Sequence, residues 1–82
     1  PQNAEAQSNA AGVLFVLGQY KEAVPYTVKA VQLSPKDAEL RFRASGVYVG
    51  ARRWGDAERE AKEAVRLDKT KATYHNRLGT VL

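Results

Sequence analysis

Residues 4–35 read AEAQSNAAGVLFVLGQYKEAVPYTVKAVQLSP, and the same design returns 34 residues later. Ala4, Glu5, Ala10, Gly12, Val13, Ala23, Ala30, Val31 and Leu33 fall on Ala38, Glu39, Ala44, Gly46, Val47, Ala57, Ala64, Val65 and Leu67, each an identity. A period of this length belongs to a helix–turn–helix unit that stacks into a solenoid. The alanines explain why the offsets recur. Small residues at helix crossings let backbones approach, and larger ones between them fill the volume, so each stacking unit must reproduce the geometry.

Working outward, Asn3 is placed to cap a first helix over Ala4 to Leu17, with Glu5 favouring the positive end of its dipole. Apolar residues lie on more than one face of this helix, so neighbours are expected on two sides. Gly18 stops it, and the short Gln19-Tyr20 connection predicts an antiparallel partner from about Lys21 to Leu33. Ala23, Thr27, Ala30 and Val31 mark the inner face of that partner. Pro25 lies about a turn in, where a late start or a kink is expected. Ser34-Pro35-Lys36-Asp37 forms the turn, with Asp37 capping a third helix over Ala38 to Ala51. Arg52-Arg53-Trp54 stands where Gly18-Gln19-Tyr20 stood, and a fourth helix follows from Gly55 to Leu67. Its inner face is Ala57, Ala61, Ala64 and Val65. A fifth helix opens at Ala72 and runs to Leu82.

Composition bounds what such a chain can do. Its 82 residues make one small domain, and the absence of cysteine excludes disulfides and thiolate metal sites. The opening on Pro1 and the end at Leu82 inside an apolar run are expected of a piece of a longer protein. No apolar run reaches the roughly 20 residues of a membrane span. The net charge of +4 is too mild to require nucleic acid, and favours acidic partners. Arg59, Lys62, Arg66 and Lys69 form a basic helical stripe. Glu58, Glu60, Glu63 and Asp68 interleave with it, and the i,i+4 pairs Glu58–Lys62 and Arg59–Glu63 read as a solvated, salt-bridged face rather than a nucleic-acid or membrane surface. His75 is the single histidine and has no ligand cluster around it. No nucleophile–base arrangement and no phosphate loop is present, so neither catalysis nor a cofactor is expected.

These residues resemble the tetratricopeptide repeat (TPR) family. A small residue in the middle of the first helix is matched by Ala11, Ser45 and Gly79, and the turn glycine by Gly18. Tyr20 and Trp54 match the corner aromatic, Ala23/Ala30 and Ala57/Ala64 the paired alanines, and Pro35 the closing proline. Arg52 and Lys69 depart at the second turn glycine and proline. Thr27 and Ala61 replace the usual large aromatic of the second helix, which predicts a thin core. The resemblance implies an all-α, right-handed α-solenoid of antiparallel helix pairs covering 1–82. It would comprise repeats 4–37 and 38–71 and the first helix of a third, 72–82.

The resemblance also implies a non-catalytic module that binds a segment of another protein in a concave groove lined by the first helix of each pair. The outward slots carry Glu5, Ser8, Asn9, Gly12, Phe15 and Val16, then Glu39, Phe42, Arg43, Gly46, Val49 and Gly50, then Thr73, Asn76, Arg77 and Thr80. Asn9, Arg43 and Arg77 share one slot and should form a row. Asn offers a peptide backbone both donor and acceptor, and Arg offers carboxylates a fork. Asn9, Phe15, Phe42, Arg43, Val49, Asn76 and Arg77 are therefore the candidate groove, with an extended and acidic segment as the expected ligand. Gly12 and Gly46 would let its backbone come close. Some TPR co-chaperones clamp a terminal carboxylate with two lysines, two asparagines and an arginine. Here Ser8, Gly12, Arg43 and Thr73 stand where the first four belong and only Arg77 fits, which argues against that clamp. The rival expectation is self-association, forming a homo-oligomer through Leu78, Val81 and Leu82 of the terminal helix.

Overall fold

A computed structural model describes residues 3–81 (for Val81 the backbone alone) and contains five helices. These are α1 (Ala4–Val16), α2 (Tyr20–Leu33), α3 (Ala38–Gly50), α4 (Trp54–Leu67) and α5 (Ala72–Val81). The Asn3 side chain caps α1, accepting from the backbone N–H groups of Glu5 at 2.8 Å and Ala6 at 3.2 Å. Asp37 caps α3 through the Leu40 N–H at 3.2 Å. Both satisfy donors that the first helical turn leaves without partners.

The two corners within repeats are built alike. At the first, the Gly18 N–H reaches Phe15 O and the Gln19 N–H reaches Leu14 O, the paired bonds of a Schellman motif with Gly18 at φ +79°. At the second, the Arg52 N–H reaches Val49 O and the Arg53 N–H reaches Tyr48 O. Arg52 is held at φ 62°, so the backbone keeps the glycine conformation although the side chain has changed. The helices that follow begin at Tyr20 and Trp54, one residue before the expected starts. Pro25 does not delay α2. The helix runs through the proline from Tyr20 to Leu33, and because Pro25 and Lys21 lie on the exposed face, the Lys21 carbonyl that loses the Pro25 N–H can bond water instead.

Packing is sequential. α1 pairs with α2, α3 with α4, α2 with α3, and α4 with α5. In addition α1 touches α3 and α3 touches α5, whereas α2 and α4 are not in contact among the described residues. The layer made by α1, α3 and α5 is thus the tighter one, and the stack curves with that layer inside. The core holds Ala11, Ala23, Val24, Ala44, Val47, Tyr48 and Ala57, with Leu14, Val31, Val49 and Ala51 packed against it. The alanines expected at crossings are the most enclosed, Ala23, Ala57, Ala61 and Ala64 all at 0 % exposure. α1 has two neighbours among the described residues, α2 and α3, but they leave Val13, Val16 and Leu17 60 %, 83 % and 64 % exposed.

The expected solvated face of α4 needs one correction. Lys62 pairs with Glu58 at 2.9 Å as anticipated, but Arg59 bonds Asp56 and Glu60 instead of Glu63, which pairs with Arg66. Glu60 is not a surface charge. It is buried at 3 % exposure and accepts from Arg41 Nη1 of α3 at 2.9 Å, so it ties the two helices of the second repeat together. A carboxylate removed from water in this way is costly unless such partners replace the lost hydration.

Candidate functional site: a cavity on the inner layer

The inner layer carries a cavity of about 750 Å³. Its wall comes from α1 and α3, its floor includes Thr27 and Ala30 of α2, and Arg77 of α5 closes one end. Of the seven groove residues singled out in the sequence, Asn9, Phe15, Phe42, Arg43 and Arg77 line this one cavity. Val49 does not: it sits two turns beyond Phe42 and packs against the core. Asn76 is exposed on α5, away from the cavity.

The three residues of the shared slot behave differently. Asn9 is exposed on α1. Arg43 pairs with Glu39 one turn earlier, Nε to Oε2 at 3.4 Å, and its Nη1 reaches back to α1 to donate to Ser8 Oγ at 3.4 Å. Arg77 reaches back in the same manner from α5 to α3. Its Nη1 donates to Ser45 Oγ at 3.0 Å and to Phe42 O at 3.4 Å, and its guanidinium carbon lies 4.4 Å from the centre of the Phe42 ring. Burial lowers the Arg77 pKa, since the charged form loses water without gaining a carboxylate. The cation–π contact and the two acceptors take the place of that water.

Of the two glycines expected to admit a ligand backbone, Gly46 is filled from within, as is Gly50 among the outward slots. A Cβ on Gly46 would lie 2.8 Å from Arg77 Nη1, and a Cβ on Gly50 would run into the Tyr20 ring. Gly12 is the one that stays open, with nothing within 4 Å of the position its Cβ would take. Ser8, read as an outward slot, is buried at 6 % beneath Arg43. Phe15 stacks edge-on against Tyr20 at 5.3 Å and remains 38 % exposed, so it is both a packing residue and a platform. Phe42 packs on Tyr74 with ring centres 4.9 Å apart. Tyr74 was not among the candidates. It is 3 % exposed and its hydroxyl donates to Glu39 Oε1 at 3.3 Å. The pairing of Leu40 with Tyr74 at the 34-residue offset, two large residues in a shared slot, was the signal for it.

Leu78 of the rival set is half-buried on α5, Leu82 lies outside the described residues, and of Val81 only the backbone is described. Among the described residues no cluster of His, Cys, Asp or Glu could hold a metal ion, and no helix is long and apolar enough to cross a membrane.

Comparison with known proteins agrees with this architecture. A family model described as tetratricopeptide repeat matches residues 17–78. The chain is 29% identical over 80 residues to an inactive TPR repeat-containing thioredoxin, TTL3, of Arabidopsis thaliana, and 30% identical over 79 residues to TPR repeat-containing thioredoxin TTL4 of the same plant. Those alignments take in 98% and 96% of this chain, which spans only 12% of the length of either relative. Among solved structures, MamA from Desulfovibrio magneticus RS-1 (residues 41 to the end) superposes with a TM-score of 0.90 at 28% identity. That superposition covers 99% of this chain and 46% of that one. The second TPR of Spaghetti (RPAP3), solved with the HSP90 peptide SRMEEVD, superposes with a TM-score of 0.88 at 21% identity over 98% of this chain and 74% of that one, a likeness of fold.

Proposed function

Because this chain belongs to the tetratricopeptide repeat family, whose modules are generally non-catalytic and mediate contacts between proteins, we propose that it holds an extended segment of another protein in the groove of α1, α3 and α5. The observation that carries this reading is the cavity of about 750 Å³ on the inner layer, with an apolar floor and the guanidiniums of Arg43 and Arg77 at its edge. Concave, mostly apolar sites with a few placed polar groups are the usual form of a binding site. Gly12 leaves room for a peptide backbone, Asn9 offers it a donor and an acceptor, and Arg43 draws carboxylate-bearing segments. The RPAP3 domain with its HSP90 peptide is a precedent for this fold holding a peptide, although the residues of a carboxylate clamp are mostly absent here.

The test is a selection of random ten-residue peptides against the chain. Peptides that bind should lose affinity by roughly tenfold or more in Gly12→Trp, whose ring would cover the cavity mouth from a position with no neighbours to displace. The folded state of that variant should be unchanged by circular dichroism. Selection of no peptide, or peptides indifferent to Gly12→Trp, would remove the groove reading.

A second reading is self-association, for which α1 offers a surface besides the set Leu78, Val81 and Leu82. Val13, Val16 and Leu17 form one exposed stripe, and their counterparts 34 residues on, Val47, Gly50 and Ala51, are buried or half-buried between the repeats. Sedimentation at rising concentration should show a dimer that Val16→Lys abolishes; a monomer throughout rejects this reading.

A further inference from the structure

The two repeats solve the same packing problem differently, and the difference has the shape of a side chain. In the second repeat the space between α3 and α5 is filled by a stack. Phe42 lies against Tyr74, and Arg77 lies over Phe42 and covers Gly46. Every member has a counterpart 34 residues earlier: Ser8 for Phe42, Leu40 for Tyr74, Arg43 for Arg77 and Gly12 for Gly46. The arginines reach in the same direction, Arg43 to the Ser8 hydroxyl and Arg77 to the Phe42 carbonyl, each 35 positions back. The ring is missing, and Arg43 lies directly on Ser8 instead, leaving Ser8 6 % exposed. Where Phe42 stands in one repeat, Ser8 stands in the other. Ser8, Leu40, Arg43 and Gly12 all line the cavity, and nothing approaches Gly12.

We infer that, when the Arg43 guanidinium lifts from Ser8 Oγ, the space it uncovers receives an aromatic side chain of the bound segment, held between Leu40 and that guanidinium as Phe42 is held between Tyr74 and Arg77. The inference rests on the groove reading above and names the ligand class for it: an extended protein segment with a phenylalanine or tyrosine at its anchor position. Charge complementarity selects aromatic over aliphatic. The face of the ring is negative, and Arg43 brings a cation that in this repeat has no ring beneath it. Its Glu39 contact is long at 3.4 Å and largely exposed, and its Ser8 contact is equally long, so little is given up when the guanidinium settles on a ring.

The experiment titrates the ¹⁵N-labelled chain with N-acetyl-phenylalaninamide and with N-acetyl-cyclohexylalaninamide, followed by nuclear magnetic resonance. The aromatic amide should produce saturable shifts centred on Gly12 and Arg43 and bind at least about three-fold more tightly than its saturated analogue. The preference should vanish in Arg43→Gln. Ser8→Phe fills the space from within, so it should keep or raise the melting temperature and abolish the shifts. Equal binding of the two amides, or shifts centred elsewhere, would overturn the inference. So would Ser8→Phe if it still binds, or if it melts several degrees lower, since the space would then not have the form of a ring. Shifts at Gly12 and Arg43 on concentrating the chain alone would assign the space to a second copy and equally overturn it. Selected peptides that bind in the groove without any aromatic residue would leave the groove reading standing and remove this one.

Discussion

Arg52 pays for a corner that glycine would make without strain. It occupies the left-handed region at φ 62°, and a residue with a Cβ there is destabilised by about 1–2 kcal/mol. Part of that relief is returned by the greater freedom of glycine in the unfolded chain. Arg52→Gly should therefore stabilise the chain by about 0.5–1 kcal/mol, read as a higher urea midpoint at unchanged slope. The side chain itself is exposed, and the Schellman hydrogen bonds at this corner are made by backbone, so nothing else need change. His75 shows a different kind of repetition. Its Nε2 lies 3.2 Å from Lys69 O, as Arg41 Nε lies 2.9 Å from Pro35 O, so two unlike side chains pin the inter-repeat turn from the same slot.

At the level of elements, the repeats are held to one another by a ring on a glycine. Tyr20, the first residue of α2, lays its ring on Gly50, the last residue of α3, and Phe15 backs that ring edge-on. Gly50→Ala puts a methyl into the ring and should cost about 1–3 kcal/mol, more than the roughly 1 kcal/mol that alanine gains over glycine in a helix. Thermal melts of Gly50→Ala alone and with Tyr20→Ala separate the clash from the propensity: the double variant should lose little beyond Tyr20→Ala itself. The helices, their corners and the alanine crossings were legible in the sequence because each rests on local signals repeated at one offset. The site was legible only in part. Slot arithmetic assigned Arg77, Gly46 and Gly50 to the groove. It did not reveal that the long Arg77 and Tyr20 side chains bridge to the neighbouring repeat and occupy the space over those glycines. The burial of Glu60 was hidden for a related reason. Its partner Arg41 belongs to another helix, and helical periodicity describes one helix at a time.

The whole molecule is a stack in which contacts join near neighbours. α3 is its centre, touching α1, α2, α4 and α5, whereas among the described residues α1 meets only α2 and α3. A stack of this kind opens from its ends, since each unit is stabilised chiefly by the one beside it. Native-state hydrogen exchange should accordingly find the slowest amides in α3, around Ala44 to Tyr48, with α1 and α5 exchanging earlier. Uniform protection across all five helices would mean that the stack opens as a single unit. The exposed stripe of Val13, Val16 and Leu17 belongs to the same scale: no described helix lies upon it, and its residues line the cavity of the groove.

The corner aromatics carry a last consequence. Tyr20 is roofed by Gly50, but Trp54, which fills the same slot one repeat on, stands 51 % exposed at the start of α4. It is also the sole tryptophan in the chain. The folded chain should therefore already emit as a wetted indole, and denaturant should move its spectrum little. A blue shift of that emission would instead report something settling on the second corner, which makes Trp54 an optical gauge of assembly rather than of folding.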